Sequence, residues 1–71
     1  MKAAKFGLTL REMQILNALV WDWSTKETAE RFHLAISTVE QARGRIYNKM
    51  HVRSGVGAAV KAIREQMVEL T

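Results

Sequence analysis

A chain of 71 residues has room for one small domain, and at that size folding buries only roughly 60% of the surface the unfolded chain exposes. It contains no cysteine and no proline, which rules out disulfides and thiolate metal sites and argues against a fold rich in tight turns. An apolar share of 48% is too high for a disordered chain, while eleven Lys and Arg against seven Asp and Glu (net +4) favour a polyanionic partner.

No apolar run approaches the ~20 residues of a membrane span. The basic start MKAAKFG is followed by no apolar segment of the kind a secretory signal needs. The expectation is a cytoplasmic chain with no membrane partner. Residues 1–7 read as an N-terminal tail and residues 8–71 as the domain, an all-α, four-helix unit with an extended C-terminal helix.

The first helix opens at Thr9, which can cap it, with Glu12 three residues on to close a capping box. Leu8 and Met13 flank that cap where a hydrophobic staple would pack. Ile15, Leu16, Leu19 and Val20 continue at helical spacing, and the helix should end near Trp21 or Asp22. Trp21, beside the end of this helix, is a candidate for exposure on a partner surface. Ser24 and Glu27 repeat the capping signal and start a short second helix with Ala29 and Phe32 on its apolar face.

Residues 33–36 read as a short connection. A third helix over residues 37–50 follows, capped by Ser37 with Glu40 as the reciprocal partner. At about 100° per residue, Val39, Ile46 and Met50 form one stripe, with Ala42 and Tyr47 flanking it. Ser37, Gln41, Gly44 and Asn48 fall on the opposite face, with Thr38 and Arg45 beside them. Residues 51–57 read as a loop with two glycines. The last helix is expected over residues 56–69, where Val56, Val60, Ile63, Met67 and Leu70 step by four and three as a seam.

A short helix, a tight connection and a second amphipathic helix make a helix-turn-helix. The third helix is polar on its open face, and Arg43, Arg45, Lys49 and Arg53 follow with Glu40 as the one acid among them. That strip can neutralise phosphates, and the N-terminal half of the helix can meet base edges. Gln41 can contact adenine, and Arg45 a phosphate or a base. Glu40 can accept from cytosine N4, but the capping box with Ser37 is the favoured reading. Gly44 is either a point of close approach to DNA or a tolerated helix defect. Thr38 can donate to a phosphate or simply support the turn. Arg43, at the edge of the buried stripe, has Glu12 and Glu30 as competing partners.

The ordered set Leu8-Thr9-x-Arg11-Glu12, Lys26-Glu27-x-Ala29, Ser37-Thr38-Val39 and Ile46-x-x-Lys49-Met50-x-Val52-Arg53 resembles the LuxR/FixJ-type DNA-binding domain over residues 8–64. Sigma-factor region 4 is similar in pattern, but the Val52-Arg53 loop and the extended fourth helix favour the LuxR type. The resemblance implies a four-helix transcription regulator, usually dimeric on DNA, with Lys26 on the DNA backbone and Glu40, Gln41 and Gly44 at the positions that most often touch bases. Lys is common in the family at the positions of Glu40 and Gly44, a Ser cap is usual at that of Ala35, and the position of Trp23 is normally apolar, so the resemblance implies Trp23 in the core. With no room for a sensing domain, the chain resembles the stand-alone members or an excised domain.

DNA contacts are therefore expected from Lys26, Ser37, Thr38, Glu40, Gln41, Arg43, Gly44, Arg45, Asn48, Lys49 and Arg53. A homodimer is expected through Val60, Ile63, Met67 and Leu70, presenting two reading helices to half-sites about 34 Å apart. The alternative is a small interaction protein that binds a larger regulator or a polymerase component through its C-terminal helix. No nucleophile beside a base, carboxylate pair or phosphate loop supports an enzyme. His33 and His51 lack ligand-spaced partners, so neither metal nor cofactor is expected.

Overall fold

The computed structural model describes residues 5–68. A 3-10 turn at Lys5–Gly7 precedes four helices, α1 (Leu10–Val20), α2 (Thr25–Phe32), α3 (Ile36–Met50) and α4 (Gly55–Arg64), with no strand among the described residues. The turn is part of the domain. Phe6 packs against the core, and Lys5 pairs with Glu65 at 3.0 Å.

Two helix starts follow directly from their capping boxes. Thr9 Oγ1 accepts from the Glu12 amide at 3.1 Å, and Glu12 Oε1 accepts from the Thr9 amide at 2.9 Å. Ser24 and Glu27 exchange the same two bonds at 3.0 Å each. Leu8 and Met13, the staple pair, are both buried. Ile15 and Leu16 join them in a core that Val39, Ile46 and Met50 enter from α3. α1 packs on α4 and α3, and α2 packs on α3.

Trp23 is half-buried rather than a core residue. Its ring lies 6.4 Å from that of Phe32, and the Arg31 guanidinium covers it at 4.4 Å. Trp21 is exposed at the end of α1.

α3 starts one residue before the expected position and without the expected cap. Its N-cap is Ala35, which makes no side-chain bond, so Ser37 and Glu40 form no capping box. The connection decides this. His33 takes a left-handed conformation (φ 56), and the Leu34 amide donates to Ala29 O at 2.9 Å. Leu34 then packs on the core, and the first helical bond of α3 runs from the Val39 amide to Ala35 O.

α4 differs more. Ser54 caps it by accepting from the Gly57 amide at 3.1 Å, so both glycines expected in a loop lie in its first turn. The helix ends at Arg64, well short of residue 69. Gln66 turns the chain with φ 56, and the Met67 amide donates back to Ala62 O. Met67 thereby enters the core, leaving it unavailable for the surface contact expected of it, and the extended fourth helix does not form. α4 buries Ala58 and Ala62, not its branched residues, because small side chains let it lie close against α1. Val56, Val60 and Ile63 are left exposed, Val56 by 76%. Leu70 lies outside the described residues. Lys61 turns inward to donate to Met50 O at 2.7 Å, which places a cation at the C-terminus of α3. No helix among the described residues is long and apolar enough to cross a membrane.

Candidate nucleic-acid interface

α3 buries Val39, Ala42, Ile46 and Met50 and turns its other side outward. Ser37, Thr38, Glu40, Gln41, Gly44, Arg45 and Asn48 are all exposed. None of these residues lies under a neighbouring element, so the polar face that the helical periodicity outlined is open. The three residues 33–35 separate α2 from α3 and hold the two helices in contact.

One shoulder of this face meets α1 through Glu12. That carboxylate is 3% exposed and accepts from Lys49 Nζ at 2.8 Å, from Arg45 Nε at 3.2 Å and from the Thr9 amide. Burial pushes the Glu12 carboxyl up. The hydrogen bonds from Lys49, Thr9 and Arg45 and the Lys49 charge outweigh it and hold the group at about 2. Lys49 also donates to Gly7 O at 3.1 Å, so two of its three donors are already engaged. Lys49 is a strut between α3, α1 and the N-terminal turn more than a free phosphate ligand. Arg45 spends only its Nε, and its side chain remains 55% exposed, which leaves both terminal nitrogens for an outside acceptor.

The other shoulder meets α2 and α4 through Arg43, which engages neither Glu12 nor Glu30. Its Nη1 donates to Thr25 Oγ1, and its Nε donates to Tyr47 Oη at 3.1 Å. A Cβ at Gly55 would stand 2.9 Å from Arg43 Nη2, 3.2 Å from Leu19 Cδ2 and 3.3 Å from Tyr47 Oη. Gly55 therefore makes room for the guanidinium where α4 begins, and Arg43 ties the start of α2 to α3. Lys26, on the first turn of α2, and Arg53, between α3 and α4, are exposed and make no ion pair among the described residues.

Glu12, Thr25, Tyr47 and Gly55 are thus parts of the interface that sequence reasoning did not assign. The wheel angles of α3 do put Arg43 and Arg45 on opposite flanks, but they do not say which neighbour each flank meets. Of the residues expected at a dimer contact, Val60 and Ile63 are exposed together on α4. Among the described residues no three His, Cys, Asp or Glu side chains gather as a metal site.

A short capped helix, a three-residue turn and a longer helix with an open polar face between cationic shoulders define a helix-turn-helix DNA-binding domain. The chain matches the family model of the bacterial regulatory proteins of the luxR family (GerE) over residues 7–62, and it belongs to that family. It is accordingly a LuxR-type domain of the transcription-regulator class. No curated protein sequence matches the chain at a significant level.

Proposed function

We propose that the domain binds duplex DNA with sequence preference, laying α3 in the major groove, and that it does so as a homodimer joined through α4. The observation that carries the reading is the open face of α3. Seven polar or glycine positions along it are exposed, opposite a stripe that is wholly buried. An α-helix fits the major groove, and side chains such as Gln41 and Asn48 match the donor and acceptor edges found there. Thr38 and Ser37, at the start of α3, serve the adjacent backbone.

The internal pairings refine the phosphate contacts. Arg43 and Lys49 hold the fold together, so Lys26, Arg45 and Arg53 are the cations left to meet phosphates. About three contacts per domain give a slope of log affinity against log salt of about −3 per domain, where all five cations would give about −4.5. Support for the dimer comes from Val56, Val60 and Ile63, which step by four and three along one exposed face of α4. A larger regulator or a polymerase component is the other candidate to cover that strip.

The test is selection of bound sequences from a random duplex pool, followed by salt titration on the winner. An enriched two-fold palindrome with affinity falling steeply in salt is expected. Failure to enrich any sequence, together with salt-insensitive binding, sinks the reading.

A further inference from the structure

Glu40 is the feature that DNA binding leaves unexplained: a carboxylate on a face meant for a polyanion. Its bland role is gone, because α3 is capped at Ala35 without any side-chain bond and Glu40 closes no capping box. Within a helix, a side chain finds partners three or four residues away. For Glu40 these are Ile36 and Ser37 before it and Arg43 and Gly44 after it. Arg43 gives its hydrogen bonds to Tyr47 and Thr25 and forms no ion pair with Glu40. Gly44 offers no side chain, and a Cβ there would meet nothing within 4 Å. Glu40 is exposed and makes no hydrogen bond or ion pair among the described residues, with bare backbone one turn along on the same face.

Resting on the reading that α3 enters the major groove, we infer that Glu40 is a specificity-determining residue that selects cytosine by accepting from its N4 amino group. An ionised carboxylate only accepts. Beside phosphates it is repelled unless it finds a donor, and the major-groove edge offers donors at cytosine N4 and adenine N6 alone. Adenine sets its donor next to the acceptor N7, which repels a carboxylate, whereas cytosine carries no acceptor of its own on that edge. The missing side chain at Gly44 lets the backbone approach the groove floor, so Glu40 reaches a base edge with no side chain one turn further along its face. The negative charge also lowers affinity for unrelated duplex, so Glu40 acts by rejecting wrong sites as well as by recognising the right one.

The test compares the sequences selected from a random duplex pool by the wild-type protein, E40A and E40Q, with circular dichroism confirming that all three fold. The wild type should enrich cytosine at one position of each half-site, with discrimination over thymine on the order of tenfold. E40A should lose preference at that position alone and bind unrelated duplex several-fold more tightly at low salt. E40Q should move the preference there toward adenine, since an amide both donates and accepts. Retention of the wild-type cytosine by both variants, or its absence from the wild-type site, overturns the assignment while leaving groove binding by α3 in place. Failure of the wild type to bind duplex at all, with the fold intact, overturns groove binding and the assignment with it.

Discussion

Glu12 does two jobs with one carboxylate, closing the α1 capping box and receiving Lys49 and Arg45 from α3. It is among the most deeply buried charged groups described, and no polar side-chain atom around it is left without a partner. Its folded-state value of about 2 lies below the 4.5 of an unfolded carboxyl. The contribution is therefore complete above pH 4.5 and is lost as pH falls from there toward 2. Its size is on the order of 3 kcal/mol. Chemical denaturation across pH should show stability dropping steeply in that window for the wild type. In E12Q, which keeps an acceptor for the Thr9 amide but carries no charge, stability at neutral pH should fall by about 3 kcal/mol and the acid limb should flatten. Equal acid slopes in the two proteins would place the acid sensitivity elsewhere.

At the scale of the element, helix starts and helix ends are encoded differently. The starts at Thr9 and Ser24 are written in side chains that bond their own backbone. The ends are not. Asp22, His33, His51 and Gln66 follow the four helices in left-handed conformations, where glycine would be the usual residue. An L-residue there carries a cost of about 1–2 kcal/mol. Since glycine gives back part of that gain through its freer unfolded chain, H33G and H51G should each stabilise the domain by about 0.5–1 kcal/mol. That is a rise in melting temperature of roughly 2–8 °C for a domain this small. Both residues are exposed, so the expected readout is a higher thermal midpoint with duplex affinity unchanged. A fall in the midpoint for either variant would mean its imidazole contributes contacts that outweigh the backbone strain.

For the molecule as a whole, α4 turns the expected seam inside out. A step of four and three through Val56, Val60, Ile63 and Met67 predicts one continuous apolar face. In the fold the first three stay outside on the helix, while Met67 leaves the helix and closes the core from the far side. In the homodimer proposed above, a second copy covers this strip of three branched residues. V60D and I63D should shift sedimentation to monomer and weaken binding to a palindromic site by tenfold or more, while a single half-site is bound as before. Because both residues are about half exposed, the monomer should keep its fold. Unchanged sedimentation and unchanged palindrome affinity would overturn the proposed dimer through α4.

Local chemistry along the chain specifies the four helices, two of their caps, the buried stripe of α3 and, through that stripe, which residues stand on its open face. These rest on interactions within three or four residues, so periodicity and capping chemistry expose them. It did not determine where α3 begins. Ser37 is the better cap in isolation, and it loses because the left-handed turn at His33 and the packing of Leu34 on the core bring the chain into helix at Ile36. Nor did it determine which cations are free. Lys49 looks like Arg53 in a linear reading, and the position of Arg43 beside the buried stripe points to an internal partner without saying which, yet α1 supplies Glu12 to Lys49 and α2 supplies Thr25 to Arg43. Those partners lie 37 and 18 residues away along the chain, and only the packing of α1 and α2 against α3 brings them together.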